Sequence, residues 1–422
     1  MLQVPTEAKW GEVAVVTNSM EMQKKTSLSL ALIAFLGMAQ AQSNFSIDSL
    51  TTMKPMSKEV EANFLSSYYH QEGDNAAVTG GIGTEKLTDI SNVFILNVPI
   101  DSVNAVNLYT GVDYYSSAST DAIDTQVSSA SSSDVRAFGT LSYSRLNLVK
   151  NETYSFKVGF STEFDYQSIS AGISYSKEWN ESNTQLTASG QAYFDRWALI
   201  YPIELRGSQS LSGAGRQSFN GGLIFSQILT KRLQMSLSSE IIYMSGLLST
   251  PFHRVYFQDT EIANLEKLPN SRMKIPLSIR LHYFPFDGLV LRAYYRYYWD
   301  DFGVIGHTAS LEAPIKLSQS FTFTPFFRYH TQEGSTYFAG YQEHISSDEY
   351  YTSDYDLSAL NSQTYGLGIK YYPTFGIARS QPIGPKKAVL MFKYAEIRGA
   401  NYQRSTGLNA FVTSLNLGFG FK

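Results

Sequence analysis

Eight cationic side chains, Arg272, Lys274, Arg280, Arg292, Arg296, Lys316, Arg328 and Lys370, fall in segments where every second residue is apolar, and all take the other parity. Two acids, Asp300 and Glu312, share that face. Planar guanidinium groups recognise carboxylates and phosphates through paired donors, and fixed cations along a wet passage prefer anions. The same charges could equally pair with one another or with a plug, because a buried charge must find a partner. On the other side of the pattern, Asn63, Asp113, Lys157, Glu163 and Glu240, with Glu61 near a rim, form a set that leans acidic.

The other chemistry-bearing residues give weaker patterns. Trp299, Asp300 and Asp301 precede Gly303 and His307; they read either as a cation or partner contact, or as a turn with a solvated tip and an interfacial tryptophan. Acids gather in three connecting stretches (Glu72, Asp74 and Glu85; Asp121, Asp124 and Asp134; Glu333, Glu343, Asp348, Glu349, Asp354 and Asp356) without the spacing of a calcium loop, so loop solvation is expected. The six histidines show neither a metalloprotease spacing nor a serine partner, and Gly80-Gly81-Ile82-Gly83 lacks the lysine of a phosphate loop. No catalytic, cofactor or metal site is expected on these grounds, and with no cysteine there is neither a disulfide nor a thiolate site nor a lipid-attachment cysteine.

The elements that carry these residues are strands. The chain combines 14% aromatic residues, 29 of them Tyr and 26 Phe, with 17% charged residues and a net charge of −4. A near-neutral balance speaks against a nucleic-acid partner. From Glu59 onward, segments of about 10 residues alternate in polarity, as strands do that face lipid and lumen by turns. Tyr154, Phe156, Val158 and Phe160 share one face; Met273, Ile275, Leu277, Ile279, Leu281 and Tyr283 share another; Phe411, Leu415, Leu417, Phe419 and Phe421 share a third. The pattern predicts an all-β fold: a single transmembrane antiparallel β-barrel of about 16 strands, within a range of 14 to 18. Short links, such as 101–104, 149–152 and 317–319, alternate with long ones at 71–87, 117–134, 195–216, 246–270, 332–362 and 399–408. Before the barrel, residues 22–41 read as a signal peptide, residues 1–21 as an extension upstream of the true start, and 42–58 as a short periplasmic segment leading into the barrel at 59–422. Export with an even strand count predicts an outer-membrane location in a diderm bacterium, both barrel termini periplasmic. Lipid surrounds such a barrel, and the barrel-assembly machinery would read Phe419 and Phe421 on the last strand.

Several stretches resemble one family: the run from Leu108 to Arg136, Ser245 to Phe257 (SGLLSTPFHRVYF), Leu268 to Phe284, Tyr294 to Leu317 with Phe323 to Gln332, and His70 to Leu87. Together they resemble outer-membrane barrels of the domain-of-unknown-function family numbered thirty-five seventy, over roughly residues 58–422. The resemblance implies no activity or catalytic residues. Genes of that family often neighbour those of flavin transferases, thioredoxin-like proteins and very small lipoproteins, which implies a scaffold for display, export or maturation of a redox or flavin-linked partner. A porin-like channel with a basic wall is the alternative, and an outer-membrane hydrolase a remote one.

Overall fold

The computed structural model describes residues 59–117, 133–199, 201–205, 213–373 and 389–421. The expected leader and periplasmic segment lie outside these residues, as does most of the 117–134 link. Sixteen barrel strands follow in chain order: β1 Val60–Glu72, β2 Leu87–Pro99, β3 Asn104–Ser117, β4 Ser133–Asn147, β5 Glu152–Thr162, β6 Tyr166–Trp179, β7 Thr184–Ala198, β8 Gly213–Thr230, β9 Leu233–Gly246, β10 Ser271–Phe286, β11 Leu289–Asp300, β12 Ile305–Glu312 continued by Ile315–Lys316, β13 Phe321–Gln332, β14 Leu360–Tyr371, β15 Leu390–Arg404 and β16 Asn409–Phe421. Each pairs antiparallel with the next. β1 closes on β16, from Val60↔Phe421 to Glu72↔Asn409, so the sheet has no free edge.

The faces are inverted relative to a soluble protein. Outward Val158 is 58% exposed and Ile169 68%, while inward Arg136 and Lys274 are 0% exposed. A continuous apolar exterior of this size needs hydrocarbon around it. Outward aromatics gather towards both ends of the strands, with Tyr114, Tyr243, Tyr329 and Tyr365 at one and Tyr143, Tyr154, Phe286 and Phe321 at the other, the placement of interfacial belts.

One end, here the turn end, is joined by tight links whose side chains cap the backbone. Asp101 accepts the N–H groups of Val103 and Asn104, each at 2.8 Å, and Ser318 Oγ accepts those of Ser320 and Phe321 at 3.2 and 3.1 Å. The opposite, loop end carries the connections at 73–86, 199–212, 247–270 and 333–359. The 399–408 link is a correction: β15 runs to Arg404, leaving 405–408. Strands also start earlier than their outward apolar residues suggest, β2 at inward, buried Leu87 and β14 at inward, buried Leu360. Ladder hydrogen bonds require a paired backbone but no apolar side chain, so strands continue past the lipid belt. Gly303 turns the chain between β11 and β12 at φ +89°, where a Cβ would lie 2.9 Å from Thr336 Cγ2. Gly303→Ala is expected to cost about 1–2 kcal/mol in urea unfolding; a neutral substitution would remove this account of the turn.

Candidate functional site

The interior has two halves. In the loop half, arginines are laid across the ladder onto carboxylates of neighbouring strands. Arg136 on β4 stands directly opposite Asp113 on β3, with 2.7 Å between charged atoms, and Ser91 also donates to that carboxylate. Arg216 on β8 stands opposite Asp195 on β7 at 2.5 Å. Arg272 on β10 donates from Nε to Asp300 at 3.1 Å. All six of these side chains are buried. Each guanidinium also covers an aromatic ring, Arg136 that of Phe138 at 4.4 Å, Arg272 that of Phe302 at 4.5 Å and Arg216 that of Trp197 at 5.9 Å. Placing a ring against the planar cation restores part of the interaction lost with water.

Further round, Arg398 on β15 bridges two carboxylates, Glu396 at 2.5 Å and Glu312 at 3.2 Å. Arg292 reaches Glu312 at 2.7 Å, and Lys370 lies 3.9 Å from Glu396. Arg398→Gln is expected to cost about 3 kcal/mol because it leaves two buried carboxylates short of their shared cation. Arg292→Gln, in a side chain 22% exposed, should cost about 1 kcal/mol. Urea unfolding in detergent would rank the two, and the reverse order would count against the lattice.

The described loops pack onto this end. Ile242, Met244, Leu248, Leu268, Tyr298, Phe302, Val304 and Leu357 form one buried core between strands and loops, and Tyr166, Trp197, Leu199 and Phe252 a second. A short ladder, Arg254–Val255 with Asn264–Leu265, stiffens the 247–270 loop. Arg254 donates from Nη2 to Glu204 at 3.1 Å and from Nη1 to the Val78 carbonyl at 2.6 Å, so three loops meet on one guanidinium. Arg404 pairs with Asp356, and Gln332 donates to the carbonyls of Asp356 and Ser358 at 2.8 and 2.7 Å. The expectation of solvated loop acids is therefore corrected in part: Glu85, Asp134, Asp354 and Asp356 are buried. Glu85, Asp354 and Asp356 sit under the folded loops, where side-chain and backbone donors replace water, and Asp134, on β4, accepts from the Tyr115 hydroxyl at 3.3 Å and the Val135 N–H at 2.7 Å. Among them, burial alone would lower His253, yet hydrogen bonding and charge from Glu266, with Asp354 and Asp356, hold the imidazole above its ordinary value.

In the turn half, small neutral inward residues share the wall with the Arg292–Glu312 and Lys370–Glu396 pairs, and many of them are partly exposed. Ser144 and Ser155 lie 2.8 Å apart, Ser238 and Ser278 2.6 Å, Gln185 donates to Ser176 at 2.9 Å, and inward Ser189 is exposed. Among the described residues, folded loops and buried cores crowd the loop end of the lumen, and inward side chains are more exposed towards the turn end.

The expected basic residues all take the inward parity but differ in setting. Arg272 and Lys274 are buried beside Asp300, Arg292 and Lys370 join the Glu312–Glu396 cluster, and Arg280 and Arg296 lie over the rings of Tyr294 and Tyr298 at 5.5 and 5.4 Å. Arg328 is half-buried on β13, and Lys316 is exposed at the turn rim. The outer-turn residues do not converge: Asp300 is interior, Asp301 lies at the exposed tip, half-buried Trp299 is paired with Ile275 and Ile305, and His307 is outward with its Nδ1 2.8 Å from Tyr295 Oη. Sequence reasoning passed over Arg136, Asp195, Arg216, Glu396, Arg398, Arg404 and the His253–Glu266 contact. The first three carried a signal, since an acid and an arginine fall at inward parity on adjacent strands.

A closed sixteen-stranded sheet with an apolar exterior and a charged interior defines a transmembrane β-barrel of the outer-membrane type. The chain belongs to the family described as protein of unknown function (DUF3570), whose profile matches residues 109–377. No curated protein matches it in sequence. Similar solved structures include a bacterial polysaccharide outer membrane secretin (10% identity, 87% of this chain and 100% of that chain, TM-score 0.43). Two more are the siderophore receptor PirA from Pseudomonas aeruginosa (12%, 87% and 81%, 0.40) and the outer membrane protein OpdK from the same organism (8%, 86% and 100%, 0.39).

Proposed function

We propose that this barrel lies in the outer membrane with its turn end and both barrel termini in the periplasm, and works as a scaffold whose lumen holds an exported partner. The observation that carries the reading is the packing of the described loops over the loop end: apolar cores and buried ion pairs occupy space that a porin would leave open. A lumen whose inward side chains are more exposed towards the turn end suits a ligand or protein segment arriving from that side. A small lipoprotein or a periplasmic redox or flavin-transfer protein is the partner that the family resemblance implies. Phe419 and Phe421, outward on β16, would present the aromatic signal to the assembly machinery. The chain's own role is non-enzymatic in this reading: inward His330 is bonded to Thr308 at 3.0 Å near the loop end, and inward His282 stands opposite Arg292 near the turn end.

A photo-crosslinking residue at Ser189, facing the lumen, tests this in intact cells, with the same residue at lipid-facing Val158 as control. A discrete adduct at Ser189 alone, identified by mass spectrometry, is the expected result. Adducts at neither position, together with steady conductance of the unmodified protein in a bilayer, would favour the second reading, an anion-preferring channel. That reading draws on the partly exposed lumen cations Arg280, Arg292 and Lys370.

A further inference from the structure

The loop between β9 and β10 and the loop between β13 and β14 meet on three side chains with the chemistry of a metal site. His253, Glu266 and Asp354 are 3%, 6% and 5% exposed, and one ligand atom from each lies within 4.8 Å of the other two. The backbone builds the set. The Glu266 N–H donates to the His253 carbonyl at 3.0 Å across the loop ladder, and Asp354 Oδ1 accepts the Asp356 N–H at 3.0 Å, leaving Oδ2 4.0 Å from His253 Nδ1. Glu266 is oriented by the Thr250 N–H at 2.6 Å and the Thr352 hydroxyl at 2.5 Å, the outer contacts that fix a metal-binding carboxylate.

The spacing admits an ion as well as a long hydrogen bond. His253 Nδ1 lies 3.4 Å from Glu266 Oε1, longer than the about 2.7–2.9 Å of a strong charge-assisted hydrogen bond. A tetrahedral ion with bonds of about 2.0–2.2 Å holds its ligand atoms about 3.3–3.5 Å apart, a separation that the His253–Glu266 pair matches and that Asp354 Oδ2, at 4.0 Å, reaches by a shift of about 0.5 Å. A cavity of ≈ 10 Å³, lined by His253, Asp354, Asp356 and Arg404 but not by Glu266, adjoins the set and is the size of about one water. We propose that His253, Glu266 and Asp354 bind one divalent first-row transition ion, with Zn²⁺ as the reference metal, and that this ion staples the two loops over the mouth. One imidazole and two carboxylates suit such an ion better than Mg²⁺ or Ca²⁺, which favour all-oxygen shells. The site stands whether the barrel is a scaffold or a channel.

The test uses the full-length barrel in detergent, stripped with a chelator and titrated with Zn²⁺ by calorimetry. One saturable site per chain is expected, weakened by about 100-fold or more in His253→Gln and in Glu266→Gln. The exposed loop variant Asp259→Asn should bind as the parent does. Zn²⁺ affinity should also fall with acid, because the proton competes for the same imidazole nitrogen. Heat-modified gel migration reports whether each variant has folded. Should the variants misfold, Co²⁺ bound to the unaltered protein decides: intense visible bands of a tetrahedral centre support the site, and weak octahedral bands overturn it. Failure of the unaltered protein to bind Zn²⁺ stoichiometrically, or binding undiminished in both folded variants, overturns it as well.

Discussion

Asp300→Ala is expected to destabilise the barrel by about 3–5 kcal/mol, while Asp301→Ala, one residue on, should cost less than about 1 kcal/mol. Asp300 is 0% exposed and gathers five donors: Arg272 Nε at 3.1 Å and its Nη2, Tyr298 Oη at 2.6 Å, and the backbone N–H groups of Phe302 and Val304 at 3.0 and 3.1 Å. Removing the carboxylate strands a buried guanidinium over Phe302 and frees two amides in a turn that has no water to offer them. Asp301 points to the exposed side and accepts one bond, from the Met273 N–H at 3.0 Å. Asp300→Asn should fall between, keeping acceptors for the turn but losing the charge that faces Arg272. Urea unfolding followed by tryptophan fluorescence and gel migration separates the three. Equal losses for Asp300→Ala and Asp301→Ala would show that the turn, and not the buried pair, carries the stability.

Removing the cap should convert a silent barrel into a conducting one. Two loops can be cut where the chain already closes on itself. The Gly246 N–H reaches the Asn270 carbonyl at 2.9 Å, and the Ser335 N–H reaches the Leu357 carbonyl at 2.7 Å. Replacing residues 247–269 and 336–355 by Gly-Gly links removes Leu248, Phe252 and Leu268 from the two buried cores while leaving the Arg404–Asp356 pair and the sixteen strands in place. The unaltered protein is expected to give no steady conductance in a planar bilayer, and the trimmed one to give discrete open levels. Anions should be preferred, because Arg280, Arg292 and Lys370 then face connected water, and the preference should shrink in high salt as screening shortens. A parent protein that conducts as freely as the trimmed one would dispose of the obstructed mouth and with it the scaffold reading. If both stay silent, the obstruction lies deeper than the loops.

Much of the architecture could be read from residue order. Alternation with a period of two fixes which side chains share a face whatever the neighbouring strand is, so the outward Phe156, Val158 and Phe160 and the inward Arg272 and Lys274 were legible before any pairing was known. The strand count followed from the same pattern, because each lipid crossing needs about 10 alternating residues. Closure and register needed the third dimension, since Val60 meets Phe421 and no local rule joins the two ends of a sequence. The charge pairs depended on that register: Arg398 is bound to Glu312 across 86 residues and Arg404 to Asp356 across 48. What appeared as a wall of cations therefore became a lattice in which most have an acid or an aromatic ring beside them. The loops were least legible of all. Their acids, scattered among serines and tyrosines, resemble solvated tips, and only folding the loops back onto the strands removes the water and brings Glu266 and Asp354 to His253 and Asp356 to Arg404. The sequence by itself settled the barrel and its two faces, because side-chain parity is a local property of a strand. Which loop charges are buried was decided by the tertiary structure, because burial of a loop charge depends on every other segment that arrives to cover it.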